Sequence, residues 1–382
     1  MRYEASFSAA GGVVMRRSSG PEAAINTAMA ANASITFPFI AGPLSALIRD
    51  GSTIYCAKPE CKGENGKMPK PEPKPFIREI LQALRMDADA AVPYRDAEAV
   101  ASYLLDDRLL LKISESAMDD QMKADKAKAL PTIPRIRSSG SFTLRSRTYF
   151  FVLMDYIQGM VLLDAIPKLS DEQQRGFGRE IADFLGALHA IKDDRYDMGH
   201  YVPTVPRYGG SWKEGHRAYA GEIKNGLSGV PLEPASRKLF AEAFDYIETH
   251  SGVLEYQTGP ALLHNDFHPK NIIVRDGKLA GVIDWECAQF GEPDFELTHL
   301  FHWCIYPPEP DKTFPALLRS VTERFQAAAH VPGLAERLTI YQLEHDMNQI
   351  VWRGKAQEAE RVRHVEGWLS EGINELINSW TL

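Results

Sequence analysis

The chain has 382 residues, 44% hydrophobic and 25% charged, with a formal net charge of −8. That is ordinary globular usage, with enough apolar material for a sizeable core. Four cysteines are too few for a disulfide scaffold and fit a reducing, cytoplasmic setting. The acidic balance argues against a nucleic-acid partner, which calls for a basic face, and no apolar run reaches the ~20 residues a membrane span needs. The charge is uneven: residues 1–140 hold 19 basic and 17 acidic residues, the remainder 24 and 34. An acidic C-terminal portion would attract a cationic or neutral polar substrate over an anionic one.

In chain order, residues 1–75 read as an irregular, partly disordered extension. Small residues dominate as far as Ser34, and Glu4 and Glu22 favour a solvated tail over a transit peptide. The stretch from Lys67 to Pro75 alternates proline with charge, an extended linker. Cys56 and Cys61 lie close together, but no nearby histidine completes a zinc set.

From Phe76 to Arg85, apolar residues at 76, 77, 80, 81 and 84 have helical spacing. Two apolar runs, Ala99–Leu105 and Arg108–Ile113, flank Asp106-Asp107 and read as a hairpin with Lys112 near the end of its second strand. Thr148–Ile157 is a further strand, stopped at Gln158-Gly159. Ser170-Asp-Glu-Gln173 is a capping box. It opens a helix whose stripe is Phe177, Ile181, Phe184, Leu185 and Leu188. Residues 236–250 are helical, 262–290 return to short strands, and from about Asp311 the chain is mostly helical. Strands before helices give an α+β protein, with a small β-rich N-lobe over 76–157 and a larger helical C-lobe over 158–382.

The stretch from Leu262 to Glu286 carries the chemistry. His264-Asn-Asp266 is a polar loop, and Asn271 follows five residues after Asp266. Strands at Ile272–Val274 and Leu279–Ile283, joined at Gly277, return Asp284 to the same end of the hairpin. Two carboxylates and an amide so grouped suit phosphoryl transfer, where positioning and charge neutralisation supply most of the catalysis. Magnesium prefers such oxygen donors, and an ionised aspartate can take a hydroxyl proton as it becomes acidic.

His264-x-Asp266-x-x-x-x-Asn271 followed by Ile283-Asp-Trp-Glu286 resembles the signature of the aminoglycoside-phosphotransferase and choline-kinase-like family, distant relatives of protein kinases. The protein-kinase Asp-Phe-Gly and Ala-Pro-Glu motifs are absent. The resemblance implies a two-lobed protein-kinase-like fold and an ATP- and magnesium-dependent transfer to a hydroxyl of a small molecule. It implies Asp266 as catalytic base, Asn271 and Asp284 as magnesium ligands, and His264 as a brace for the loop. It further implies Lys112 as the lysine on the α- and β-phosphates, with the Asp155 carbonyl and Ile157 N–H receiving adenine.

Two features depart from that pattern. No glycine occurs between Gly66 and Gly140, where a glycine-rich phosphate loop belongs. The segment Ser116–Leu130 offers Asp119, Asp120 and Asp125 but no glutamate to pair with Lys112, and Glu115 is too near it in sequence. These departures keep a second reading open, a catalytically silent binding protein on the same fold. Other residues take structural expectations before functional ones: Trp285 core, Glu286 and Asp294 surface or capping groups before pocket lining, and His268 either packing beside Pro269 or touching phosphate or substrate. His299 and His302 on a helix lack a third metal ligand. The late acids, including Glu344, Asp346, Glu358, Glu360 and Glu366, read as a solvated helix face.

Overall fold

The computed structural model describes residues 3–7, 13–17, 75–83, 86–87, 91–96, 100–115, 127, 130–144, 146–198, 210–255, 258–325, 332–370 and 373. The chain divides into two units. The first comprises Met1–Ala117 and Ile136–Asp155, the second Met118–Arg135 and Tyr156–Leu382.

In the first unit, β1 (Tyr3–Phe7) pairs antiparallel with β2 (Val13–Arg17), within the stretch expected to be irregular. Cys56 and Cys61 lie outside the described residues. Helix α1 (Pro75–Ala83) precedes an antiparallel sheet of β3 (Ala91–Asp96), β4 (Val100–Leu105), β5 (Leu109–Ser114), β6 (Ile136–Leu144) and β7 (Arg147–Asp155), ordered β3-β4-β5-β7-β6. The β4–β5 turn has Asp106 and Asp107 at φ 49° and 52°. Two left-handed residues in succession match the right-handed twist of a hairpin, and aspartate is among the few residue types that tolerate them. The helical stripe of α1 supplies Ile77 and Leu81 to a core with Leu111, Ile113 and Phe151.

From Tyr156 the second unit continues with β8 (Met160–Val161) and a one-turn helix α2 (Leu162–Ala165). Next come α3 (Asp171–His189), α4 (Trp212–Ser228) and α5 (Pro234–His250). The expected capping box is formed: Ser170 Oγ accepts from the Gln173 N–H, and the Gln173 side chain accepts from the Ser170 N–H. All five predicted stripe residues of α3 are buried. The strands β9 (Ala261–Leu263), β10 (Ile272–Arg275), β11 (Lys278–Val282) and β12 (Gln289–Gly291) form two small sheets, β11-β10-β8 and β12-β9. Helices α6 (Leu297–Ile305), α7 (Pro315–Arg324), α8 (Leu334–Arg353) and α9 (Glu358–Ser370) follow. Among the described residues, no helix is long and apolar enough to cross a membrane.

A linear division near residue 157 misses that 118–135 belong with the helical unit. Ala127 and Ile133 are buried in its core, and the Val282 N–H donates to the Thr132 carbonyl at 2.8 Å. Gly159 is required by close approach. At φ 154°, a Cβ there would lie 2.6 Å from the Val274 carbonyl oxygen, against the strand that β8 pairs with.

Candidate active site

The loop His264–Asn271 joins β9 to β10, so both ends are held by strand pairing. Its first turn is fixed from outside. Glu296, buried between β12 and α6, accepts the His264 N–H at 2.7 Å and the Asn265 N–H at 2.8 Å. A carboxylate taking two backbone donors in a dry site is a strong anchor. Sequence reasoning missed Glu296, because nothing at residue 296 marks a partner about thirty positions earlier. Asn265 sits at φ 63°. That left-handed position suits Asn or Gly, and its Nδ2 donates to the Cys287 carbonyl at 3.1 Å.

His264 is fully buried. Its Nδ1 accepts the Asp266 N–H at 3.3 Å, so Nε2 carries the proton and donates to the Ile283 carbonyl at 2.8 Å. Burial lowers its pKa, consistent with this neutral tautomer. The ring also meets Trp285 edge-on at 4.6 Å. Trp285 is core, as expected, with its indole N–H on the Val282 carbonyl at 2.9 Å.

Asn271 draws the site together. Its Nδ2 donates to both the carbonyl and Oδ2 of Asp266 at 2.9 Å, and its own carbonyl accepts the Ile283 N–H at 2.9 Å. Asp266 and the residue before Asp284 are thus tied to one side chain and its backbone. With Nδ2 turned to Asp266, Oδ1 is the atom left for a cation. Asp284 stands in the left-handed region at φ 71°, ψ 60°, opening the 3-10 turn Trp285–Cys287. Aspartate is among the few residue types that tolerate this region. One amide and one carboxylate oxygen form a donor set that fits a hard divalent cation.

The Asp266 side chain keeps 28% of its surface exposed, the access a reacting group needs. Burial pushes its pKa up, but His268 Nε2 at 3.4 Å and His299 Nδ1 at 3.9 Å from Oδ1 outweigh it, holding the carboxyl below its usual range. His299 itself is pushed down to about 3 by burial.

The remaining expected residues belong to other elements. Lys112 belongs to the first unit, buried on β5 and paired in the ladder with Ser102 and Val152. Glu115 is engaged by Arg147 at 3.1 Å, and Asp119, Asp120 and Asp125 lie outside the described residues. Asp155 ends β7, with its carboxylate held by Arg137 at 2.6 and 3.0 Å. Ile157 belongs to the second unit and packs over Gly281, where a Cβ would come 2.2 Å from its Cδ1. Ile157 therefore leans on the strand that leads to Asp284.

Several acids expected at the surface are internal. Asp294 is buried against Arg337. Glu344 is buried against His216 at 2.6 Å, and burial raises its pKa despite that partner. Asp346 accepts from Arg361 at 2.9 Å and Trp368 Nε1 at 2.7 Å. Glu358 is buried and accepts the Glu233 N–H at 2.7 Å. Glu360 and Glu366 are exposed, as expected. The signal overlooked in α8 is that apolar residues at 338, 340, 343, 347 and 350 surround the helix on more than one side, so its acids are enclosed with them.

Comparison with known proteins bears on the fold and the family. Residues 102–330 match the model of the phosphotransferase enzyme family, APH. The chain is 24% identical over 201 residues to acyl-CoA dehydrogenase family member 11 of Mus musculus, covering 50% of this chain and 23% of that protein. It is 27% identical over 89 residues to hygromycin-B 4-O-kinase of Escherichia coli, covering 23% of this chain and 24% of that enzyme. The chain thus spans about a quarter of the length of these curated relatives. Among solved structures, a thermostable mutant of aminoglycoside phosphotransferase APH(4)-Ia in ternary complex with AMP-PNP and hygromycin B has a TM-score of 0.58 at 17% identity, covering 80% of this chain and 99% of that one. ADP-bound APH(2'')-Ib has a TM-score of 0.54 at 17% identity, covering 76% and 95%. These likenesses establish the α+β, protein-kinase-like fold. With the family model spanning more than half its length, the chain belongs to the phosphotransferase enzyme family.

Proposed function

We propose that the chain transfers the γ-phosphoryl group of ATP, with Mg2+, to a hydroxyl of a small molecule. The observation that carries this reading is the Asn271 side chain, which holds Asp266 in place while its backbone holds the strand end that presents Asp284. Asp266, ionised and partly open to solvent, orients the acceptor hydroxyl and takes its proton as the oxygen bonds to phosphorus. The bond from the γ-phosphorus to the bridging oxygen breaks, and ADP leaves with the electron pair. Asn271 Oδ1 and Asp284 would hold magnesium, which supplies charge neutralisation on the phosphates when bound. Lys112 would hold the α- and β-phosphates, and the Asp155 carbonyl and Ile157 N–H the adenine. Nucleotide complexes among the structural neighbours support ATP as donor. The sparse cysteines support a cytoplasmic location. The match to acyl-CoA dehydrogenase family member 11 covers too little of that protein to carry dehydrogenase chemistry over.

The test is the melting temperature with and without MgATP, in wild type and Asp284→Asn. A ligand at about a hundred times its Kd stabilises the native state by roughly 2.7 kcal/mol, a shift of several degrees. We expect that shift in wild type and its loss in Asp284→Asn. The absence of glycine between Gly66 and Gly140 favours one alternative, a silent binding protein. No shift at millimolar MgATP would select it.

A further inference from the structure

Resting on the reading of Asp266 as base, we propose that His268 is a positioning residue for the transfer: its Nε2–H fixes the plane of the Asp266 carboxylate, and Trp303 of α6 keeps its ring in place. The terminal torsion of an aspartate is broad, so a carboxylate held by one oxygen still swings. Asn271 Nδ2 donates to Asp266 Oδ2 at 2.9 Å. The other oxygen, Oδ1, faces His268 Nε2 at 3.4 Å and His299 Nδ1 at 3.9 Å. His268 is the nearer, and its tautomer is set by the loop itself. His268 Nδ1 accepts the Lys270 N–H at 3.2 Å, so in the neutral ring the proton sits on Nε2, the atom turned to Asp266. At 3.4 Å the pair is longer than an ordinary N–H···O bond, as catalytic contacts often are before substrate closes the site. One donor on each oxygen holds the carboxylate in one plane and leaves each oxygen a further lone pair for the acceptor hydroxyl.

His268 is itself held from several sides. Its N–H donates to the Asp266 carbonyl at 3.1 Å, and its carbonyl accepts the Asn271 N–H at 2.9 Å. Pro269 narrows the backbone of the residue before it, and the Pro269 carbonyl accepts the Leu163 N–H of α2 at 3.1 Å. The imidazole lies on the Trp303 indole, with centroids 4.6 Å apart and planes at 21°, an aromatic stack that opposes rotation of the smaller ring. Only 14% of the His268 side chain is exposed, so the ring has little room to turn away. His299 and Trp303 stand one turn apart on α6, which places this helix against the side of the loop that carries the base.

The experiment measures ADP release by the full chain with MgATP, alone and with hygromycin B, and counts only what exceeds Asp266→Ala. His268→Phe keeps a ring for the stack and removes the N–H; His268→Gln keeps an N–H at similar reach and removes the ring. We expect kcat to fall about ten- to a hundredfold in His268→Phe, the worth of a hydrogen bond to a charged group. The KM for ATP and the melting temperature should not change, and His268→Gln should recover part of the loss. Trp303→Leu should lower kcat in wild type and add little in His268→Phe, since both act on one group. Wild-type kcat in His268→Phe overturns the proposal, as does a loss that glutamine fails to relieve. A larger loss in His299→Phe than in His268→Phe overturns it too. So does a rise in the KM for ATP with kcat unchanged, since His268 would then contact phosphate. An equal Trp303→Leu loss in both backgrounds overturns the part given to Trp303. A second readout needs no turnover. Two-bond 1H–15N spectra at about pH 8, above the ordinary histidine range, give the tautomer of His268, identified as the signal missing in His268→Phe. A neutral Nε2–H ring whose signal moves in Asp266→Ala supports the positioning contact even if the transfer reading fails. An Nδ1–H ring, or a signal indifferent to Asp266, overturns it.

Discussion

Two aspartates in the helical unit are both surrounded by histidines, yet their surroundings suit them to opposite tasks. Asp346 is 0% exposed and has its countercharge built in, with Arg361, His364 and Trp368 closing on its oxygens. Asp266 keeps 28% of its surface, and its close partners are an amide and imidazoles. A carboxylate fully compensated by a fixed cation is a structural element. One oriented by an amide and left accessible can receive a proton. Availability, more than the kinds of residue nearby, separates the two.

The comparison can be broken most directly by exchanging the expected losses. Asp266→Ala should lower ATP-dependent turnover by about 10²–10⁴-fold with little change in melting temperature; a variant that melts early instead would make Asp266 the structural acid. Arg361→Ala should leave Asp346 buried without its cation. Breaking one side of such a pair costs about 3–5 kcal/mol, read by urea unfolding, and a loss below about 1 kcal/mol would show that the pocket relaxes. Glu296→Gln weakens two charge-assisted bonds to the catalytic loop, each worth about 1.5–3 kcal/mol. It should lower kcat more than it raises either KM, because the loop it positions carries the proposed base.

The most gradual effect is in pH. Burial holds His299 at about 3 and lowers His264 and His302 as well. Below about pH 6.5, the unfolded chain takes up these protons before the folded one does. Stability is therefore full above that pH and declines as pH falls towards 3, by at most about 1.4 kcal/mol per pH unit for each proton. His299→Gln should make the decline shallower. Asp346, held low by its partners against the upward push of burial, adds a loss only below the ordinary aspartate range, so the two acid-sensitive windows are separable in one titration of unfolding free energy.

Much of the architecture was legible because its signals are local. The capping box at Ser170, the stripe of α3 and the Asp106-Asp107 turn depend on neighbours within a few residues, and each formed as read. Strands β3 and β6 and helix α4 escaped notice. Pro93 interrupts β3, the Ser138-Ser-Gly-Ser141 run makes β6 resemble a loop, and the capping box at Ser211 was passed over. The inclusion of 118–135 in the helical unit escaped for another reason, since its tie to Val282 spans about 150 residues.

The sequence by itself determined how the three proposed site residues are grouped. Asp266, Asn271 and Asp284 lie within nineteen consecutive residues, and a hairpin turning at Asp276-Gly277 returns the third to the first two. Tertiary structure alone decided what holds that loop, which acids are spent and what faces the base. Glu296 reaches back to His264, Glu344 pairs across the fold with His216, and Trp303 meets Lys270. Local backbone geometry follows from chain neighbours, whereas the charge and availability of a side chain depend on desolvation and on partners met through space. Folding alone brings those partners within a few ångströms of it.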